Sequence, residues 1–515
     1  MNGSIMLEMH NIRKEFGSVV ALDDVNLSIK KGEIHGLLGG NGAGKTTLMN
    51  ILYGLYKSDA GDISIEEVSL AINSPKDAIA GGIGMVHQHF LQIDRFTVTE
   101  NIVLGTKLKN FPNLDLKQDK KKIIELSEHF GLPVDPDALI NQLPMGIRQR
   151  VEILKALYRG VKVLVLDEPT TNLTPQEVDG LFKSLRLMVN DGLSVIFITH
   201  KLREVLEVCN RISVLRHGKN VLTMDREEAS EEGFVKAMVG DDLNIEKSII
   251  FSVDVLDEKL GQIGEDHALV VENLSIGEAE TKSINACDFV IKEGEILGVA
   301  GVSGNGQLEL LEGILGLRTV LEGEIRIKDK NVTDLDPQET LRQSVAYIPE
   351  DRWQDGFLPK ANVSQNLILG LHRREPYSDG RFLKRGAIFE QSKSLIDEFN
   401  IKTSGPDDTA GNLSGGNIQR VMLARAFSHP IKLLIAHNPT RGLDISSMES
   451  IYSKILERKE KGMATLLVSE NMDELFLLSN RIIVISNGEI MGELPREKFD
   501  KYAVGLMMSG VKQDE

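Results

Sequence analysis

The chain has 515 residues, with 59 Lys and Arg against 76 Asp and Glu for a formal charge of −17, and is 41% hydrophobic and 26% charged. That length exceeds one ordinary core, so two or more domains are expected. The acidic balance argues against nucleic-acid binding and against electrostatic attachment to an anionic bilayer, both of which need surplus Lys and Arg, so any membrane attachment is expected to go through a protein partner.

Cys209 and Cys287 make neither a disulfide framework nor a zinc spacing, which fits a reducing cytosol. No apolar run reaches the ~18 residues of a membrane span. The start, MNGSIMLEMHNIRKEF, lacks the apolar core and cleavage site of a signal peptide, and none is expected.

In chain order, Phe16 lies on a predicted strand. The apolar strand EIHGLL then leads into GGNGAGKTT (39–47), and TTLMNILYGL reads as a helix behind it. Gly39, Gly44, Lys45 and Thr46 fit G-x-x-x-x-G-K-[ST]. Glycines there let backbone N–H groups turn onto phosphate oxygens, and the helix N-terminus adds its positive dipole end. Lys45 would reach the β- and γ-phosphates, and the Thr46 hydroxyl would ligate Mg²⁺. Gln88, in MVHQHF, follows another apolar strand and is placed to reach metal and water. DLKQDKKKIIELSEHFG spaces its apolar residues as an amphipathic helix and ends in a capping glycine. VLVLDEP (163–169) ends a continuous apolar run, the pattern of a buried parallel strand, in two carboxylates. Asp167 would hold Mg²⁺, and Glu168 is the candidate base for the attacking water. His200 closes the strand VIFITH at the carboxyl edge of the sheet, where open α/β folds bind ligands. The pattern predicts an α/β fold with a helical insertion between the glycine loop and VLVLDE.

The chain then repeats itself. KKGEIHGLLGGNGAGKTTL (30–48) aligns with KEGEILGVAGVSGNGQLEL (292–310), FTVTENIVLG (96–105) with ANVSQNLILG (361–370), VLVLDEPTTNL (163–173) with LLIAHNPTRGL (433–443), and VIFITHKLREV (195–205) with TLLVSENMDEL (465–475). The offset drifts from 262 to 270 residues, which predicts an insertion in the second copy near WQDG or REPYSDGR. The expected boundaries are a first domain at 1–242, an acidic linker at 243–267 and a second domain at 268–512.

The second copy has lost the loop's chemistry. Gln307 stands for Lys45, Leu308 for Thr46, Glu350 for Gln88, His437 and Asn438 for Asp167 and Glu168, Glu470 for His200, and Glu278 for Phe16. It also carries LSGGNIQRVMLARAF (413–427), where Ser414, Gly415, Gly416 and Asn417 precede a helix, an anion site by geometry. The first copy reads LPMGIRQRVEI there. Pro144 has neither hydroxyl nor N–H to offer, and Met145 crowds a glycine position.

With the glycine loop, acidic strand end, glutamine loop and strand-end histidine, LSGGN makes the chain resemble the ATP-binding subunit of ATP-binding-cassette transporters over nearly its whole length. The resemblance implies two tandem P-loop NTPase cassettes, each a RecA-like α/β core with an antiparallel β subdomain and a helical subdomain. It also implies head-to-tail pairing of the cassettes. One ATP site would then use Phe16, Gly39, Gly40, Asn41, Gly42, Ala43, Gly44, Lys45, Thr46, Thr47, Gln88, Asp167, Glu168 and His200, faced by Ser414, Gly415, Gly416, Asn417 and Asp444. Catalysis would fall to Glu168, His200, Gln88 and Lys45, and Mg²⁺ to Thr46, Gln88 and Asp167. Substitutions would then sort by composite site: one intact, the other degenerate on both faces, with Thr174 standing for Asp444.

GNGQ in the second loop and PTRGLD late in the chain are similar to monosaccharide and nucleoside importers. VHQHF, RQRVEILKALYRG, ITHKLREV and YIPEDR are most similar to the nucleoside branch. That branch implies two integral-membrane permease subunits, an extracytoplasmic solute-binding lipoprotein acting indirectly, no nucleic acid, and a peripheral place on the cytoplasmic side of the cell membrane. Ribose- or galactose-type import is the alternative. A ribosome-associated tandem cassette is a distant one, disfavoured because such chains resemble pairs of intact sites. A binding module without turnover is disfavoured by the presence of both Glu168 and His200.

Overall fold

A computed structural model describes residues 4–512 except 18, 41, 88–89, 107–115, 172, 200, 229, 240–247, 251–259, 262, 279–280 and 444. The chain divides into units of residues 1–243 and 244–515.

In the first unit, the strands form two sheets among the described residues. One is antiparallel, in the order Val19–Lys30, Ile5–Phe16, Ala60–Ile65, Val68–Ser69. The other runs Lys219–Asp225, Arg211–Arg216, Ile34–Gly39, Ser194–Ile198, Val163–Asp167, Ile83–Val86, parallel except at its first pair. Its central strands Ile34–Gly39, Ser194–Ile198 and Val163–Asp167 are buried at every residue, as a parallel sheet covered on both faces requires. Parallel register puts the ends of the loop strand, the acidic strand and the Ile83–Val86 strand on one edge. The predicted amphipathic helix is Lys117–His129, with Ile123 and Ser127 buried. Gly131 stops it at φ 65°, a left-handed position that favours glycine.

The second unit repeats this order. Its antiparallel sheet runs Thr281–Lys292, His267–Glu278, Val320–Ile327, Lys330–Asn331. Its larger sheet runs Glu489–Pro495, Arg481–Ser486, Ile296–Ala300, Ala464–Val468, Leu433–His437, Val345–Ile348. The equivalent pairs Ile83/Val345, Val98/Val363 and Val163/Leu433 are 262, 265 and 270 residues apart, so the insertion comes in two steps. Three residues enter before Val363, around the π-helical turn Arg352–Gly356, and five more before Leu433.

Part of the acidic stretch packs onto this unit. Glu449 accepts hydrogen bonds from the Ser248 hydroxyl at 2.9 Å and the Ile249 N–H at 2.6 Å, and the Lys459 ammonium donates to the Leu260 carbonyl at 2.5 Å. No helix among the described residues is long and apolar enough to cross a membrane.

Candidate nucleotide site

The glycine loop of the first unit joins the buried strand Ile34–Gly39 to the helix Lys45–Leu52. Gly42 and Gly44 sit at φ 75° and 106°, conformations that glycine adopts without strain. A Cβ on Gly39 would lie 2.5 Å from the Leu215 carbonyl oxygen, and one on Gly44 would lie 2.7 Å from Leu22 Cδ2. The cradle therefore exists because side chains are excluded from it.

The Lys45 ammonium is stowed in that loop, donating to the Gly39 carbonyl at 2.7 Å and the Gly40 carbonyl at 3.0 Å. Burial holds its pKa below the usual lysine range, and the charges of Glu168 and Asp167 oppose that shift. Ala43 is buried, Thr47 half-buried and Thr46 exposed at the first turn of the helix.

Asp167 ends the acidic strand 8% exposed. Burial, and after it the Glu168 charge, push its carboxyl up to about 6, with Lys45 pulling the other way. At pH 7 most of it is ionised. Glu168 turns the chain in the left-handed region, φ 48°, and its N–H donates to the Ile198 carbonyl at 2.9 Å, locking this turn to the neighbouring strand. Phe16 is 44% exposed, its ring edge-on to Tyr56 with centroids 5.4 Å apart. Asn41, Gln88, His200 and Asp444 lie outside the described residues.

One brace was not foreseen from sequence. Glu204 accepts from the Thr170 hydroxyl at 2.7 Å and the Thr199 hydroxyl at 3.2 Å, tying the chain after Glu168 to the strand end before His200. Glu474 repeats it with Thr440 and Ser469, both at 2.5 Å. The repeat itself held the signal, because a Glu stands at the same place in ITHKLREV and SENMDEL.

In the second unit the loop keeps its backbone, with Gly304 and Gly306 at φ 89° and 109°. Gln307 copies the lysine's self-contact without its charge, donating to the Val302 carbonyl at 3.0 Å. A cleft of about 200 Å³ remains, lined by Gly304, Gln307, Glu350, His437 and Glu470 among others. Burial pushes His437 down to about 4, so the imidazole is neutral and its 3.5 Å contact with Glu350 is not a charge pair. Glu350 is held instead by the Arg441 guanidinium and by the Asn438 amide at 3.1 Å. Asn438 occupies the same left-handed turn as Glu168, at φ 45°. The cleft thus keeps a phosphate loop's shape with neither its cation nor its strand-end acids.

Ser414 caps the helix Gly415–Phe427 in an extended conformation. Asn417 donates to its hydroxyl oxygen at 2.9 Å and accepts from the Lys402 N–H at 2.9 Å, and among the described residues the Ser414 O–H has no acceptor. Arg352 fastens this turn to the PTRGL segment, donating to the Gly415 carbonyl at 3.1 Å and the Arg441 carbonyl at 2.5 Å. A Cβ on Gly416 would lie 3.1 Å from the Ser447 hydroxyl.

The first unit's counterpart has been turned to structural use. Pro144 caps Met145–Tyr158 without a side-chain bond. Thr174 is spent as the cap of Pro175–Asn190, in a reciprocal capping box with Glu177. A Cβ on the adjoining Gly146 would lie 2.3 Å from a Glu177 carboxylate oxygen.

The first loop fits a triphosphate: Gly39 and Gly44 leave no room for side chains, its ammonium is seated at the loop, and a helix N-terminus stands behind it. Thr46 and Asp167 offer oxygen donors only, the chemistry a hard divalent cation takes.

Residues 22–171 and 284–441 match the family described as ABC transporter. The nucleoside import ATP-binding protein NupA of Lactococcus lactis subsp. cremoris is 41% identical over 511 residues, covering 99% of both chains. The guanosine import ATP-binding protein NupO of Bacillus subtilis is 38% identical over 511 residues, covering 99% of this chain and 98% of its own. The glucose import ATP-binding protein TsgD13 of Haloferax volcanii is 41% identical over 537 residues, covering 98% of this chain and 96% of its own.

Proposed function

This chain belongs to the ABC transporter family, and from that membership we propose that it is the ATP-hydrolysing subunit that drives uptake of a nucleoside through two integral-membrane permease subunits. It is a tandem-cassette ATPase. A solute-binding lipoprotein outside the cell would deliver the nucleoside, and this subunit would sit on the cytoplasmic face of the membrane. The observation that carries the nucleoside reading is the end-to-end similarity to two nucleoside-type relatives. The similarity to a glucose-type relative favours a second reading, import of a sugar.

Chemistry is assigned to one site. The backbone N–H groups of residues 39–47 and the Lys45 ammonium bind the phosphate chain, and Phe16 stacks on the base. Thr46, Asp167 and Gln88 would hold Mg²⁺, which when bound would offset the negative charge of the phosphates. Glu168 accepts a proton from the attacking water, and His200 steadies the γ-phosphate. Ser414, Gly415, Gly416, Asn417 and Asp444 are the second cassette's candidates for a phosphate contact, with the Ser414 hydroxyl as the donor. The second loop, with Gln307, His437 and Asn438, does not hydrolyse nucleotide.

Uptake of labelled guanosine, uridine, ribose and glucose by cells lacking this chain, rescued by the parent or by Glu168→Gln, tests the reading. Nucleoside uptake restored by the parent alone supports it. Uptake of glucose or ribose alone would move the assignment to the sugar branch. Equal rescue by both forms would refute an ATPase role in transport.

A further inference from the structure

The second insertion step builds a small tip between the helices Val363–Leu367 and Arg385–Glu398, with the sequence HRREPYSDGRFLKRG (372–386). Its base is anchored. Tyr377 is buried in an apolar cluster with Ile368, Leu371 and Ile388, and the Lys384 N–H donates to the Tyr377 carbonyl at 2.8 Å. Its apex is shaped. Ser378 bridges to Leu383, and the Asp379 carboxylate accepts from the N–H groups of Arg381 at 2.9 Å and Phe382 at 2.7 Å. Those bonds fix the turn in the orientation that holds Phe382 outward. At 74% exposure it is the most exposed large apolar side chain among the described residues, and Leu383 beside it is 52% exposed.

Charge surrounds this apex. The fifteen residues hold five Lys and Arg against two Asp and Glu, a local +3 in a chain of −17. Arg373, Arg381, Lys384 and Arg385 are all exposed. Salt limits an exposed charge's reach to about 10 Å, so the acidity of distant surfaces does not cancel this patch.

We propose that the tip is a contact for the surface of a bilayer containing anionic lipid. Phe382 and Leu383 enter the headgroup boundary while Arg373, Arg381, Lys384 and Arg385 face the lipid phosphates. Two apolar side chains are too little for a stable protein interface, which buries on the order of 1,000 Å². One aromatic ring with several cations suffices for a weak, reversible hold on an anionic surface. The acidic total charge had argued against direct membrane contact, and the fold overrides that by gathering basic residues around one presented ring. The reading does not depend on which solute is carried.

The test is co-flotation of the purified full chain with vesicles of phosphatidylcholine alone or of phosphatidylcholine with phosphatidylglycerol. ATP turnover in solution serves as the folding control. The parent is expected to float with the anionic vesicles only, and less so as salt rises. Phe382→Ser should weaken that association about tenfold. Arg381→Glu with Lys384→Glu should weaken it by about twenty-fold or more. Both variants should keep the parent's turnover. Equal association with neutral vesicles, variants that float like the parent, or a parent that floats only when permease subunits are in the vesicles would each overturn the proposal, the last in favour of a protein contact.

Discussion

Removing the charge of Asp167 is expected to stabilise the nucleotide-free chain while ending turnover. The carboxyl rises from 3.8 to about 6, mainly because burial strips water from its ionised form. At about 1.36 kcal/mol per pH unit, a rise of roughly two units means the ionised group withholds about 3 kcal/mol from the folded state. A folded pKa above the unfolded one means the native chain binds more protons between the two values. Stability therefore falls as pH climbs from about 4 to about 6, and the full penalty stands above that window. Asp167→Asn abolishes the ionisation at nearly constant shape. It should raise the first unit's melting midpoint by up to about 10 °C at neutral pH. The gain should shrink as pH falls through 6 and be nearly gone at about 4. Thermal melts followed by circular dichroism, without nucleotide or Mg²⁺, measure both. An unchanged or lowered midpoint at neutral pH, or a gain undiminished in acid, would show that the carboxylate serves the fold rather than a ligand.

Three further outcomes are expected. Glu168→Gln should cut phosphate release by about a hundredfold or more while nucleotide binding persists, since only proton transfer is removed; retained turnover would take Glu168 out of its role. Ser414→Arg should cripple hydrolysis, because it replaces the hydroxyl at the N-terminus of the helix Gly415–Phe427 with a bulky cation. A normal rate in a phosphate-release assay would take Ser414 out of its role. Gln307→Lys should not add a second active site, because burial keeps His437 neutral and Asn438 supplies no base. A doubling of turnover per chain would contradict this.

Much of the fold was legible because the same pattern is written twice. Runs such as VLVLD and LLIAH became strands buried at every position, and the apolar spacing of DLKQDKKKIIELSEHFG placed the helix Lys117–His129. The glycine loop was legible because Gly39 and Gly44 leave no volume for a Cβ. Less visible was whatever depends on residues meeting from distant parts of the chain. Nothing in AYIPEDR announces that Arg352 reaches the carbonyls of Gly415 and Arg441, or that Glu350 is clamped by Arg441 and Asn438. Thr174 looked like a mere loss until the structure showed it capping a helix. The insertion was anticipated at either of two places, and both contribute.

The turns at Glu168 and Asn438 share one left-handed geometry, φ 48° and 45°. Asparagine tolerates that twist better than glutamate, whose longer side chain cannot support its own backbone there. The second unit thus carries at this turn the residue its contour prefers, whereas the first unit carries an acid there at a mild backbone cost. A contour that outlasts its reagent belongs to the architecture, and the acid is its tenant.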